Sequence, residues 1–289
     1  MGLQRSGFVI FTEKMSVMET REILSENITL YKFDRVQEPV AVILLIHGLG
    51  EHSGRYIEWA RRFTSGGVAF RAFDLPGHGR SGGRRGTMPG FDKLFSIIDN
   101  LTGEIRDEMP GVPLFLYGHS LGGGLALNYI LNRKPVIKGA VITSPWVKLT
   151  EAPPKIKLLF ASLAKKLLPG MTQPSGLKTR YLSHDPEVVK AYENDPLVHG
   201  MISAGLFASV TEAAAETLGH ASEITIPLLL AHGRDDMITS PAGSMEVAAA
   251  APDALLKLWD GAYHELHNDM VKDEHFDFIM EWIDKLIAR

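Results

Sequence analysis

PLFLYGHSLGGGLALNYI, residues 113–130, is the most informative part of the sequence for the class of fold. An apolar, strand-like run (Pro113–Tyr117) leads directly into Gly118-His-Ser120-Leu-Gly122, and a helix-like stretch follows at once. Strand, tight turn and helix are the setting in which a G-x-S-x-G motif exposes its serine at the edge of an α/β sheet. The glycines suit a strained turn with closely packed neighbours. Ser120 is therefore the candidate nucleophile.

The same alternation of short apolar runs and longer helical patterns extends over most of the chain. The predicted strands are Ile28–Phe33, Ala41–Ile46, Val68–Phe73, Pro113–Tyr117, Lys138–Thr143, Ile226–Ala231 and Ala254–Trp259. The predicted helices are Ile57–Thr64, Phe91–Glu108, Gly123–Asn132, Ser240–Ala250 and Asp269–Ile287, the last with Asp269 as its N-cap. This pattern predicts the α/β class, with a mostly parallel central sheet and helices on both faces.

The alternation stops between Pro145 and Ile224, where no strand-like run is found. Helix-like stretches over Ile156–Leu168 and Met201–Leu218 are predicted instead. An insertion between two parallel strands leaves the sheet at one end, so a helical lid over a site is expected. The expected division is an α/β core of residues 21–145 and 221–289, a cap of residues 146–220, and an N-terminal extension of residues 1–20.

A serine nucleophile needs a general base and an orienting acid, and in this order of elements both follow the serine. Asp235 and Asp236 come after the Ile226–Ala231 strand, and His264 and His267 come after the last strand. The carboxyl ends of parallel strands meet at one edge of the sheet, where α/β proteins place their sites. A serine, histidine and aspartate constellation is therefore predicted at that edge.

Within each pair the residues alone leave a choice. Asp236 is preferred over Asp235 because neighbours in an extended turn point opposite ways, although spacing leaves the two nearly even. His264 is preferred because it lies in the loop nearer the strand end, with His267 as a nearby polar residue. For the oxyanion, the expected donors are the backbone N–H groups of Leu121 and of Leu49, in the His47-Gly-Leu-Gly50 loop after an earlier strand.

Composition excludes several other classes of protein. With 30 basic and 34 acidic residues and a pI near 6.3, the chain has no overall positive field for nucleic acid. It has no cysteine, hence no disulfide, thiolate nucleophile or Cys-ligated metal.

Two further motifs resemble a zinc site and a dinucleotide-binding site but lack a required feature. His264-Glu-Leu-His267 is one residue short of H-E-x-x-H, so no zinc site is predicted. Gly77–Gly82 matches G-x-G-x-x-G, but the glycine-rich segment after it cannot open the helix that dinucleotide binding requires. No cofactor and no metal are expected.

Hydropathy gives an expectation about location. The longest apolar run, Val40–Ile46, is far shorter than the roughly 20 residues of a membrane-spanning helix. No signal peptide is expected either. The predicted location is cytoplasmic.

Taken together, these motifs resemble the monoacylglycerol lipase branch of the α/β-hydrolases, which also carries lysophospholipase and serine aminopeptidase S33-like labels. The resemblance extends over the chain from about residue 28. It rests on HGLGEHSGRY (47–56), DLPGHGRSG (74–82), GHSLGG (118–123), DPL (195–197) and AYH (262–264).

This resemblance implies an activity and roles for particular residues. The H-G-x-x-D pattern of the branch implies that Asp236 is the acid, and the first histidine of Tyr263-His264-Glu-Leu-His267 matches the base of the branch. Tyr192 matches a lid tyrosine that faces the glycerol head. The implied reaction is hydrolysis of a single-chain lipid ester, monoacylglycerol to fatty acid and glycerol, through an acyl-enzyme on Ser120. The alternatives are a lysophospholipase, a short-chain carboxylesterase, an acyltransferase and a non-catalytic binding protein.

The cap has an uneven distribution of charge. Residues 152–184 contain six basic side chains and no acid, whereas residues 185–220 contain six acids and one lysine. A basic, apolar first half suits peripheral contact with an anionic lipid surface. An apolar stripe at helical spacing there fits either shelter for an acyl chain or packing on the core: Ile156, Leu159, Phe160, Leu163 and Leu167. The oligomeric state is left open.

Overall fold

The computed structural model describes residues 19–24, 27–33, 36–151 and 167–289. The strands are β1 (Glu19–Leu24), β2 (Ile28–Phe33), β3 (Ala41–Ile46), β4 (Val68–Phe73), β5 (Leu114–His119), β6 (Gly139–Thr143), β7 (Thr172–Pro174), β8 (Met201–Ser203), β9 (Leu228–Gly233) and β10 (Ala254–Trp259). The α-helices are α1 (Ile57–Ser65), α2 (Phe91–Glu108), α3 (Leu121–Arg133), α4 (Pro186–Asn194), α5 (Ala204–His220), α6 (Pro241–Ala250) and α7 (Lys272–Ile287).

Most of these strands form one eight-stranded sheet in the order β1-β2-β4-β3-β5-β6-β9-β10. β2 runs antiparallel to both of its neighbours, whereas the six strands from β4 to β10 pair in parallel. The predicted fold class, α/β with a mostly parallel sheet, is confirmed. The loops after β3, β5, β9 and β10 therefore leave the sheet at the same edge.

A hydrophobic core lies on each face of the sheet. Along β3, Val42 and Leu44 face the core shared with α2, α3 and α6, while Ile43 and Leu45 face the core shared with α1 and α7. Alternate side chains of a strand point to opposite faces, so a strand covered on both sides must be apolar throughout. That requirement explains why this strand was recognisable as a continuous apolar run.

Strand boundaries differ from prediction at the edge where the site lies. β5 continues to His119 and β9 continues to Gly233, each two residues beyond the predicted end. At the other side of the sheet, β1 was not predicted at all, and it includes residues assigned to the N-terminal extension. β1 is an edge strand whose sequence, ETREIL, alternates too little to show a period of two.

The segment between β6 and β9 contains strands, contrary to the prediction. β7 and β8 pair antiparallel as a separate two-stranded sheet, and strands of three residues are too short to show a periodic pattern. The helix predicted from Met201 begins instead at Ala204, because the Ser203 hydroxyl accepts the Leu206 N–H as an N-cap. Of the predicted apolar stripe, only Leu167 lies within the described residues, where it is exposed.

The last helix also begins later than predicted, at Lys272 rather than after Asp269. The Asp269 carboxylate is not available as an N-cap because it accepts hydrogen bonds from the backbone N–H groups of His184, Tyr263 and Met270. It thereby joins the inserted segment to the loop that follows β10. Among the described residues, no helix is long and apolar enough to cross a membrane.

Candidate active site

Ser120 lies at a sharp turn between β5 and α3, with φ 54° and ψ −117°. A non-glycine residue rarely adopts this conformation, and it is held here by hydrogen bonds on both sides. The Ser120 N–H donates to the Thr143 carbonyl at 3.0 Å, and the Ser120 carbonyl accepts from the Gly124 and Trp146 N–H groups. A Cβ at Gly122 would overlap the Ile46 carbonyl oxygen, so the turn requires glycine there.

Three side chains from three different loops form a continuous chain of hydrogen bonds. The Ser120 hydroxyl donates to His264 Nε2 at 2.9 Å, and His264 Nδ1 donates to Asp236 Oδ2 at 2.7 Å. All three residues are buried. This is the geometry of a nucleophile, a base and an orienting acid.

The structure separates the two members of each predicted pair. Asp235 is exposed, whereas Asp236 is 2 % exposed and faces His264. His267 makes no hydrogen bond to Ser120 or Asp236 among the described residues, and its ring stacks on Tyr56 at 4.6 Å between centroids. Burial lowers the pKa of His267 to about 4, so the imidazole is uncharged near neutral pH.

Charges around His264 favour its protonated form in the course of a reaction. Burial alone would lower the pKa of His264, but the Asp236 charge and hydrogen bond, with Glu265 and Glu51, raise it above the ordinary value. Burial would likewise raise the pKa of Asp236, yet His264 and the hydrogen bonds from His232 and His264 hold it well below its usual range. The carboxylate is therefore charged at every pH at which the base functions.

The loop after β3 runs directly beside Ser120. A Cβ built on Gly48 would lie 3.2 Å from Ser120 Cβ, so only glycine allows this approach. Within the part of the chain that the structure describes, the N–H groups of Leu49 and Leu121 make no hydrogen bond. Both are consequently available to a substrate oxygen.

His47, whose side chain had no predicted role in this loop, orients the Leu49 N–H. Its Nε2 accepts the Leu75 N–H at 2.9 Å, so the proton is on Nδ1, which donates to the Gly48 carbonyl at 2.8 Å. The Gly48 carbonyl and the Leu49 N–H belong to one trans peptide and point in opposite directions. Burial lowers the pKa of His47 to about 3, which keeps this ring neutral.

A buried ionic cluster beside the site was also missed from the sequence. Arg55 donates to both carboxylate oxygens of Glu265, at 2.7 and 2.8 Å, and to Glu51 at 2.7 Å. Glu51 in turn accepts the Gly48 N–H at 2.6 Å and the Tyr56 hydroxyl at 2.9 Å. The cluster links the loop after β3 to the residue that follows His264. The Glu51 and Arg55 spacing, i and i+4, is the one sequence signal that pointed to it.

A cavity of about 330 Å³ opens onto Ser120 and His264. One group of lining residues is apolar: Trp146, Leu149, Leu182, Ile202, Phe207 and Ile238. A second group consists of Glu51, Glu265 and Tyr192. The Arg55 guanidinium joins this second group, with its central carbon 4.7 Å from the centre of the Tyr192 ring. The cavity thus has both apolar and hydrogen-bonding walls.

The Gly77–Gly82 motif belongs to a loop with a structural role. No helix begins at Gly82, since α2 starts at Phe91, and the Asp74 carboxylate folds the preceding loop by accepting the Arg80 and Ser53 N–H groups. In the described ranges, no group of three or more His, Cys, Asp or Glu side chains could hold a metal ion.

Comparison with known proteins agrees with the fold. The chain is 33% identical over 249 residues to the monoacylglycerol lipase of Mycolicibacterium smegmatis, covering 85% of this chain and 89% of that protein. It is 37% identical to an abhydrolase domain-containing protein of Dictyostelium discoideum, covering 91% of this chain, but it spans only 28% of that protein's length. The crystal structure of Paleococcus ferrophilus monoacylglycerol lipase superimposes with a TM-score of 0.82 at 35% identity, covering 90% of this chain and 98% of that one.

The parallel sheet, the strained serine and the hydrogen-bonded histidine and aspartate define an α/β-hydrolase. A family model described as serine aminopeptidase, S33, matches residues 37–270. The chain belongs to that family, which confirms the resemblance inferred from its motifs. It is a hydrolase.

Proposed function

We propose that this protein hydrolyses carboxylic esters of single-chain lipids, with monoacylglycerol as the main substrate and fatty acid and glycerol as the products. The observation that carries the proposal is the hydrogen-bond chain from Ser120 to Asp236 at the wall of a cavity that is partly apolar and partly polar. The relatives named monoacylglycerol lipase at 33% and 35% identity support this substrate class.

In the first half of the reaction, Ser120 Oγ attacks the ester carbonyl while His264 Nε2 takes its proton. Asp236 holds the imidazole in the tautomer with hydrogen on Nδ1 and stabilises the imidazolium that forms. The N–H groups of Leu49 and Leu121 hold the oxyanion. His264 then donates the proton to the leaving glycerol oxygen, and the C–O bond breaks to leave an acyl-enzyme.

In the second half, water attacks the acyl-enzyme and His264 accepts its proton. The second tetrahedral intermediate collapses, the fatty acid leaves, and the proton returns to Ser120. The apolar wall of the cavity holds the acyl chain, and Tyr192 faces the glycerol head. Glu51 and Glu265 line that side of the cavity.

A panel of esters tests the substrate class. We expect kcat/KM for medium- and long-chain monoacylglycerols to exceed that for lysophospholipids and for p-nitrophenyl acetate by at least about tenfold, because only the first combines an apolar chain with a small uncharged polyol. Rates are measured by release of fatty acid and of p-nitrophenol. A preference for acetyl over decanoyl esters would instead indicate a short-chain esterase, and mainly transesterified product with added alcohols would indicate an acyltransferase.

We also propose that residues 146–220 form the cap over this site and that its first half contacts anionic lipid surfaces. Three apolar side chains at the start of the described stretch 167–220 are largely exposed: Leu167 (69 %), Leu168 (60 %) and Met171 (51 %). The sequence just before them carries four lysines, at positions 155, 157, 165 and 166. Apolar side chains beside basic ones are the combination that binds the interface of an anionic membrane.

Neutralising these four lysines to glutamine tests the membrane contact. Each lysine near an anionic surface contributes about 1 kcal/mol, so we expect loss of the four charges to weaken binding to phosphatidylserine-containing vesicles about 10²–10³-fold. Co-sedimentation with vesicles gives the affinity, and p-nitrophenyl ester hydrolysis in the absence of lipid should be unchanged. The matched control neutralises four lysines elsewhere: Lys93, Lys134, Lys138 and Lys272. Equal binding by both variants would contradict the proposal.

A further inference from the structure

The catalytic carboxylate is shared by two histidines. His232, within β9, places Nε2 3.0 Å from Asp236 Oδ2, the same oxygen that accepts the His264 Nδ1 hydrogen at 2.7 Å. His232 is fully buried and is not among the residues that line the cavity. It therefore touches no substrate, and any influence on the reaction passes through Asp236.

The neighbours of His232 determine which of its nitrogens carries hydrogen. Nε2 faces two acceptors, Asp236 Oδ2 and the Thr239 carbonyl at 3.1 Å, so the hydrogen is on Nε2. Nδ1 lies 2.7 Å from Ser244 Oγ and accepts the hydrogen of that hydroxyl. Ser244 lies on α6 and is fully buried, so a strand and a helix together orient the ring.

Other groups hold the carboxylate in place without help from His232. Asp236 Oδ1 accepts the backbone N–H groups of Ile238, at 2.8 Å, and Thr239, at 3.0 Å. The Thr239 hydroxyl also lies 3.0 Å from Oδ2. What His232 alone adds is a second imidazole N–H on Oδ2, the oxygen that binds the base.

We propose that His232 is a positioning residue for the proposed esterase reaction: its Nε2–H draws charge from Asp236 Oδ2 and so limits how strongly that oxygen holds the His264 proton. An acceptor oxygen that already binds one donor is a weaker acceptor for the next, and a hydrogen bond to a charged group is among the stronger ones. His264 must release its proton to the leaving alcohol, so too strong a hold by Asp236 slows that step.

The other groups that face His264 are chemically unaltered by a substitution at His232. Glu265 and Glu51 raise the pKa of His264 by their charges. The His119 ring lies 4.8 Å from the His264 ring, and the neutral His267 ring is beyond it. None of these groups hydrogen-bonds to His232 within the described residues. A change in the titration of His264 in a His232 variant thus reports on Asp236 Oδ2.

The test compares His232→Phe, which removes the donor, with His232→Gln, whose amide nitrogen can still donate to Oδ2. For His232→Phe we expect kcat about tenfold lower, the change that loss of one hydrogen bond to a charged group corresponds to. We expect KM within about twofold, since the residue touches no substrate. The acidic limb of kcat/KM against pH should move to higher pH. Without the His232 donor, Asp236 stabilises protonated His264 more strongly, and this raises the pKa of His264.

His232→Gln should keep the wild-type pH profile and most of kcat. The proposal is overturned if a folded His232→Phe has the wild-type kcat and acidic limb, or if a folded His232→Gln is as impaired as His232→Phe. Any p-nitrophenyl ester that the wild type cleaves serves as substrate, so the outcome does not depend on monoacylglycerol being preferred.

A measurement on the unaltered protein covers the case in which His232→Phe does not fold. In a sample with ¹⁵N-labelled histidine, we expect hydrogen on Nε2 of His232 and on Nδ1 of His264 at neutral pH. Hydrogen on Nδ1 of His232 and none on Nε2 would overturn the proposal. Because this measurement needs no turnover, it separates failure of the His232 role from failure of the proposed esterase function.

Discussion

Replacing Ser120 by alanine is expected to lower kcat for ester hydrolysis by about 10⁴–10⁶, the loss typical for removal of a serine nucleophile. The hydroxyl that attacks the carbonyl is absent in this variant, and His264 Nε2 loses the group 2.9 Å away from which it takes a proton. The N–H groups of Leu49 and Leu121 remain, so a residual rate above that of water is expected. Hydrolysis of p-nitrophenyl butyrate measures the effect.

Thermal unfolding and a surface variant serve as controls for this prediction. The turn at Ser120 is held by backbone hydrogen bonds to Thr143, Gly124 and Trp146, which alanine leaves intact, so the melting temperature should change little. Ser96→Ala, on the exposed face of α2, should keep full activity. A fluorophosphonate probe should label the wild type and not Ser120→Ala. Equal labelling of the two would show that another residue is the nucleophile.

Replacing Asp236 by asparagine is expected to lower kcat by about 10⁴, as when the acid of such a triad is neutralised. Each carboxylate oxygen accepts two N–H groups: those of His264 and His232 at Oδ2, and the backbone N–H groups of Ile238 and Thr239 at Oδ1. An amide NH₂ would face N–H donors in either position. If it faces His264, it favours the tautomer with hydrogen on Nε2, which cannot take the Ser120 proton.

Asp235→Asn is the matched control, because it makes the same chemical change one residue away on an exposed side chain. Asp235→Asn should keep the kcat and the free energy of unfolding of the wild type, whereas Asp236→Asn should lower both. The stability loss follows from placing an amide against buried donors, and it is measured by denaturant unfolding. A large loss of kcat in Asp235→Asn with an active Asp236→Asn would reverse the assignment of the acid.

Much of the fold and part of the site follow from local sequence. Strands buried on both faces, such as β3, are continuous apolar runs, and the turn at Ser120 is specified by neighbouring glycines that leave no room for Cβ atoms. The edge strand β1 and the three-residue strands β7 and β8 were not predicted, because they lack such a local signal. Their pairing depends on a partner strand, and their own residues carry too little periodic signal.

The class of fold, the position of the candidate nucleophile and the edge of the sheet at which its candidate base and acid lie all follow from the sequence. These depend on the chain order of strands and turns, which is visible without coordinates. Residue spacing alone left Asp235 and Asp236 nearly even. Tertiary structure selects Asp236 because hydrogen-bond geometry, unlike spacing, distinguishes a buried carboxylate from an exposed one.

Only the tertiary structure brought together the groups around the triad. Arg55 and Glu265 are far apart in the chain, and they meet because the loops after β3 and β10 leave the same edge of the sheet. The second imidazole on Asp236 is only four residues away in sequence, but its contact requires β9 to continue through His232. Such contacts depend on where the strands end. They also depend on hydrogen bonding between buried polar groups, because a buried polar group without a hydrogen-bond partner costs about 1–3 kcal/mol.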